Sequence, residues 1–263
     1  MFKFGKKKEN KQKEITALCL GGGGARGFAH IGAIKAFEEA GVSFDMVVGT
    51  SAGALVGALY AAGIQSQVML RYASALSLHD LHNGILITPN DPMRIGKIVT
   101  DLIGTVEIGS LPKKFAAVAV DLIQAKQAVL DSGNASVAVA ASCAVPVLYR
   151  PVTLAGKHLC DGGLLNNIPA DVCRMLGATR VVTVDVNPTR GGGTSGLGII
   201  DVLKATLHIM TANASVEGLR HSDIIIAPDT SAFSSASFSG ANEMVELGYA
   251  AATEKIADIK REA

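Results

Sequence analysis

Residues 47–53 read VVGTSAG, and a run of small apolar residues, ALVGALYAA, follows them. The fold turns on how this stretch is read. Taken as strand, sharp turn and helix, it sets Ser51 between Gly49 and Gly53 at the carboxyl end of a buried strand. That is the strand–turn–helix context in which G-x-S-x-G works as a nucleophile elbow. The glycines allow the tight turn, and the following helix aims its N–H groups and positive dipole end at the reacting centre. The plainer alternative is a serine N-cap on a buried helix.

Upstream, residues 20–27 read LGGGGARG, after the apolar run ITALCL. Gly22, Gly24 and Gly27 fit G-x-G-x-x-G, which cradles a dinucleotide pyrophosphate. The same row of exposed N–H groups also suits the oxyanion of an ester under attack. A dinucleotide fold needs an acid at the carboxyl end of the second strand. Asp45 is at a suitable distance but precedes the strand MVVG. The far end of that strand holds GTSAG instead, so a serine elbow occupies the ribose-gripping position.

Composition agrees with an α/β protein. Hydrophobic residues make up 49% of the 263-residue chain and charged residues 18%, well away from the disordered class. The core must be filled by small aliphatic residues, because Trp is absent and aromatics are few. Apolar runs alternate with helical patterns along the chain. Strands are predicted at ITALCL, MVVG, FAAVAVDL, AKQAVLD, RPVTL, KHLC, RVVTVDV and DIIIAPD. Helices are predicted over 25–40, 51–62, 65–76 and 136–144, at IPADVCRMLG, after residue 198, and from 241 to the end. RPVTL and KHLC flank Ala-Gly as a hairpin. The irregular segments 77–95 and 189–200 are candidate lids. The expected organisation is a basic N-terminal tail, 1–14, followed by one catalytic domain, 15–263.

The third informative stretch is CDGG at 160–163, where Asp161 closes the strand KHLC and two glycines keep the backbone open. Alone, Asp-Gly is an ordinary turn dipeptide. In order, though, a glycine-rich loop, GTSAG and DGG each sit at a strand end. Together they resemble the patatin-like phospholipase family, from about residue 15 to 225. ASCAVPVLYRPV (141–152) is similar to the family's segment ahead of DGG. Some members carry Asp where this chain has Gly21.

The resemblance implies a three-layer α/β/α fold with a central, mostly parallel sheet. It also implies a Ser–Asp dyad rather than a Ser–His–Asp triad, and no cofactor. Carried over, Ser51 is the nucleophile and Asp161 the base, with Gly22, Gly23 and Gly24 forming the oxyanion hole. Arg26 occupies the family's basic position, either orienting the loop or holding a phosphoryl or carboxylate group. The expected activity is hydrolysis of phospholipid or lysophospholipid acyl esters through acyl-Ser51. The alternatives are a general small-ester esterase and a regulatory protein on the same scaffold.

A histidine-containing triad is disfavoured. His208 lies inside an apolar helix pattern, His221 at a strand start, and His30 one turn into a helix. No metal site is expected, because Cys19, Cys143, Cys160 and Cys173 are scattered and the His spacing matches no common ligand set. No basic face recurs along the chain, which argues against nucleic acid. The N-terminus carries Lys3, Lys6, Lys7, Lys8, Lys11 and Lys13, with Phe2 and Phe4. It reads as a solvated tail or a weak tether to anionic lipid. With no apolar stretch of signal or spanning length, the expected location is cytoplasmic or peripheral to the inner membrane face.

Overall fold

The apolar run after Glu14 forms β1 (Thr16–Leu20), which lies between β2 (Met46–Thr50) and β7 (Arg180–Val184), parallel to both. The computed structural model describes residues 14–75, 89–187 and 198–261. The basic N-terminal stretch and most of both candidate lids lie outside these residues.

Alternation along the strands builds two cores. Leu18, Leu20, Val47, Phe115, Ala117, Val182 and Val184 face one side of the sheet. Ala17, Cys19, Met46, Val48, Ala116, Val118 and Val181 face the other. The first face is covered by α1 (Phe28–Glu39), α2 (Ala52–Ala61) and α9 (Ala241–Arg261), the second by α6 (Ala170–Met175). Strands buried on both faces read as continuous apolar runs, as they do here. The result is the expected three-layer α/β/α arrangement. All four cysteines are buried and free.

The sheet runs β5–β6–β3–β2–β1–β7–β8, with β4 also paired to β3. Here β3 is Lys114–Asp121, β4 Lys126–Leu130, β5 Val152–Leu154, β6 Lys157–Asp161 and β8 Ile224–Ile226. β2, β1, β7 and β8 run parallel with β3, whereas β4 and β6 are antiparallel to it. The predicted hairpin is present as β5 and β6.

The long strand β3 positions the site. Its residues 114–118 pair with β2, and its residues 119–121 pair with β6. β4 pairs across 117–121 and so needs the opposite edge. β2 and β6 therefore share one edge of β3 and meet end to end from opposite directions. Thr50 stands opposite Val118, and Asp161 opposite the next residue, Ala119. This junction brings the end of the GTSAG strand to the start of DGG.

Two elements depart from the expected boundaries. A 3-10 turn, Gly24–Gly27, precedes α1, so that helix begins three residues late. An amphipathic helix, α4 (Met93–Ile103), occupies a stretch given no element by the sequence reading. Its buried Ile95, Ile98 and Val99 lie at helical spacing against α5 (Ala135–Ser142). The remaining α-helices among the described residues are α3 (Ser66–Ala75), α7 (Ile199–Ala214) and α8 (Val216–Arg220). Among the described residues, no helix is long and apolar enough to cross a membrane.

Candidate active site

Ser51 occupies the turn between β2 and α2, with φ 54° and ψ −123°. A non-glycine residue at positive φ is strained and needs its surroundings to hold it there. The glycines on either side are required by close approach. A Cβ on Gly49 would run into the Gly53 carbonyl, and one on Gly53 into the Leu20 carbonyl. The Ser51 N–H donates to Ser142 Oγ at 2.8 Å, and Ser142 Oγ–H donates in turn to Val118 O at 2.6 Å. Ser142, at the end of α5, thus ties the elbow to β3. The Ser51 carbonyl accepts from Ala54 and Leu55 N–H, which starts α2.

Asp161 arrives from the other direction at the end of β6 and is 6% exposed. Its Oδ1 accepts the Gly163 N–H at 2.8 Å, while Oδ2 is buried and, among the described residues, has no hydrogen-bond partner within bonding distance. Burial raises the Asp161 pKa from 3.8 to about 6, with the Ser51 hydroxyl and the Gly163 N–H pulling it back down. A Cβ on Gly162 would meet Val118 O and Thr50 Cγ2, so the DGG turn lies against the strand end that carries Ser51. Two thiols border the pair. Burial, then the Asp161 charge, pushes Cys143 well up and Cys160 to about 12. Both are thiols, not thiolates, at neutral pH.

The glycine loop crosses in front of this junction. A Cβ on Gly22 would lie 3.3 Å from Ser51 Cβ. The expectation that Gly22 supplies an oxyanion N–H is corrected by the structure. Its N–H already donates to Asn167 O at 3.0 Å, because residues 166–167 return past the loop after DGG. Neither Gly23 nor Gly24 donates its N–H to any acceptor among the described residues. Gly24 holds φ +57°, and a Cβ there would strike Ser235 O.

Arg26 braces the loop. Its Nε donates to Phe233 O at 2.9 Å, and its Nη1 to Asn187 Oδ1 at 2.7 Å. Asn187 Nδ2 then donates to Gly22 O at 2.6 Å. Ala25 N–H donates to Ser235 O at 2.8 Å. The segment around residues 230–240 therefore straps the glycine loop down. Sequence reading assigned no role to this segment, to Ser142, or to Asn167 and Asn187. Partial burial lowers the Arg26 pKa.

Among the described residues no histidine joins the pair. His30 Nε2–H donates to the Gly21 carbonyl at 2.8 Å, and burial lowers its pKa to about 4. His158 pairs with Thr153, and His221 with Glu217. His79 and His82 lie outside the described residues. No group of three or more metal-ligating side chains occurs among the described residues.

Comparison with known proteins gives this geometry a family. The family model for patatin-like phospholipase matches residues 18–174, spanning all three motifs. An uncharacterized NTE family protein of Mycobacterium tuberculosis is 35% identical over 184 residues, 67% of this chain and 50% of the relative. Patatin-like phospholipase domain-containing protein 6 of Mus musculus is 37% identical over 182 residues, 65% of this chain and 13% of the relative. The chain thus spans half the length, or less, of these relatives. VipD from Legionella pneumophila superimposes with TM-score 0.61 at 17% identity, over 94% of this chain and 67% of that one. A likeness at that identity concerns the fold alone. With the glycine loop, the serine elbow and DGG following the ends of β1, β2 and β6 inside the matched span, the chain belongs to the patatin-like phospholipase family.

Proposed function

We propose that the chain is a lipid acyl hydrolase that cleaves carboxylic esters of phospholipids or lysophospholipids through an acyl-Ser51 intermediate. The observation that carries this reading is the end-to-end junction on β3, where Thr50 and Asp161 stand opposite the adjacent residues Val118 and Ala119. A serine hydroxyl is a weak nucleophile until a base takes its proton. Asp161 Oδ2 is a buried acceptor with no hydrogen-bond partner among the described residues. A carboxyl at about 6 is a better base than one at 3.8 and is still ionised at pH 7.

In the first half-reaction the Ser51 proton passes to Asp161 as Oγ attacks the ester carbonyl. Negative charge on the carbonyl oxygen is met by the Gly23 and Gly24 N–H groups and by the positive end of α2. The protonated Asp161 then supplies a proton to the leaving alkoxide. In the second half-reaction Asp161 takes a proton from water as water attacks the acyl-Ser51 ester, and it returns that proton to Ser51 Oγ as the fatty acid leaves. Arg26 acts through the loop and does not touch the substrate. A small-ester esterase would use the same residues. The basic N-terminal stretch remains a candidate contact with anionic lipid.

The test is fatty-acid release from a lipid panel by wild-type and Ser51→Ala protein, with fluorophosphonate labelling of both. Ser51-dependent release and labelling are expected. Undiminished hydrolysis by Ser51→Ala would overturn the assignment. Labelling at Ser51 with no turnover on any ester would favour a regulatory role instead.

A further inference from the structure

The helix α7 (Ile199–Ala214) presents the reverse of the usual surface-helix pattern. None of its described side chains is fully buried, whereas nine of the twelve residues of α1 are. With about 100° of turn per residue, Ile199, Val202, Thr206, Ile209, Met210 and Asn213 fall within one arc of roughly 100°. All six are exposed, and none carries a charge. The four large apolar ones, Ile199, Val202, Ile209 and Met210, are 86, 51, 59 and 39% exposed. Asp201, His208 and Thr211 lie on the other side of the helix. An ordinary surface helix turns its apolar stripe to the core and its polar face to water. Apolar side chains scattered singly over a surface are normal, but a continuous row of them marks an interaction site.

This helix rests on the site described above. A Cβ on Gly163 of the DGG turn would lie 3.2 Å from Thr211 Cγ2. At the last residue of α7, Ala214 O accepts the Asn167 N–H at 3.3 Å, and Asn167 O holds the Gly22 N–H. Thr211 therefore faces the DGG turn, and the stripe faces outward one helix diameter away, roughly 10–12 Å. Leu165, just after that turn, is half-exposed as well.

Building on the hydrolase reading, we infer that the outer stripe of α7 seats the protein on the apolar surface of a phospholipid bilayer. A charge-free stripe enters the boundary of the acyl chains without stripping water from an ion, and helices docked in this way sink about 5–10 Å. A second copy of the chain fits less well. Sixteen residues of helix make a strip roughly 24 Å by 10 Å, about 240 Å², against the ~800 Å² that each partner of a stable complex contributes. Contact through this stripe needs no anionic lipid, unlike contact through the basic N-terminal stretch.

The experiment is flotation of the full chain with phosphatidylcholine vesicles at low and high salt. Wild-type and Ser51→Ala protein should float alike, and salt should leave both unchanged. Ile199→Ser combined with Ile209→Ser should lower the partition coefficient roughly tenfold or more, since it removes two of the four apolar anchors. The double variant should keep the circular dichroism of wild type and its rate on soluble p-nitrophenyl acetate, while losing rate on vesicles. Val202→Glu probes the same stripe by charge, and decides the matter if the double variant does not fold. Met175→Ser, an exposed methionine on α6, should float as wild type does. Wild-type protein that floats only with anionic vesicles, or stripe variants that float as wild type does, would overturn the inference. So would a dimer, seen by sedimentation velocity, that the stripe variants dissolve, because a second copy would then cover the stripe. Ester hydrolysis that survives Ser51→Ala would remove the hydrolase reading alone, since flotation is read without turnover.

Discussion

Replacing Asp161 by Asn should make the protein more stable at neutral pH as it becomes inactive. The folded chain holds this carboxyl at about 6 against 3.8 for a free one, because burial opposes its charge. That difference corresponds to about 3 kcal/mol at 1.36 kcal/mol per pH unit. The sign follows from proton binding. Between the two values the folded state binds the Asp161 proton more tightly than the unfolded state does. Wild-type stability therefore falls as pH rises from about 4 to about 6, and is level above that. The amide of the Asp161→Asn variant carries no charge at any pH, so its stability lacks this decline. The variant's Oδ1 can still accept the Gly163 N–H. Any packing cost of the substitution is the same at every pH and cancels when two pH values are compared. The gap between variant and wild type should thus widen in the variant's favour by about 2.5 kcal/mol from pH 4 to pH 8. Urea denaturation of both proteins at the two pH values measures it. A gap that stays constant within error, or closes with rising pH, would refute the argument that burial of the carboxylate destabilises the native state.

Further consequences are independent of that measurement. The acid limb of the kcat/KM profile should follow a single ionisation near 6, because only ionised Asp161 accepts the serine proton; a steady rate from pH 7 down to pH 5 would count against it as base. Ser142→Ala strands the Ser51 N–H and the Val118 carbonyl in a buried place, so it should lower stability by ~1–3 kcal/mol in denaturant titrations and reduce kcat more than it changes KM. Arg26→Lys should not restore what Arg26→Met removes, since one ammonium cannot reproduce the fork that reaches both Phe233 O and Asn187 Oδ1; the two variants should show similar losses in kcat, of roughly ten- to a hundredfold, the worth of one charge-assisted hydrogen bond of about 1.5–3 kcal/mol.

The parts of the site that the sequence makes legible are those fixed by local backbone demands. GTSAG needs glycines on both sides of a strained serine, and the structure shows carbonyls where their Cβ atoms would be. Asp161 ends a strand in a predicted hairpin, and pairing carries it to β3. What sequence reading missed depends on distant chain segments. Nothing in LGGGGARG shows that Asn167 will claim the Gly22 N–H, or that Ser235 will accept from Ala25. Ser142 looks like one more small residue in ASCAVP until its hydroxyl meets two backbone groups from elsewhere. α4 differs in that its spacing of Ile95, Ile98 and Val99 is an ordinary helical signal, passed over next to an irregular segment.

The end-to-end meeting of β2 and β6 on one edge of β3 sets the spacing of the pair by strand pairing and not by the length of the connections between the strands. Ser51 and Asp161 are separated by more than a hundred residues of sequence, yet each is indexed to β3 by its own ladder of hydrogen bonds. The intervening helices and loops set the covering segments and the mouth. They do not set the distance from nucleophile to carboxylate. Such a site can be refitted for new esters by altering that excursion while the reacting groups keep their places. A one-residue slip of β6 along β3 is different, since it would turn Asp161 to the opposite face of the sheet together with buried Leu159 and Cys160.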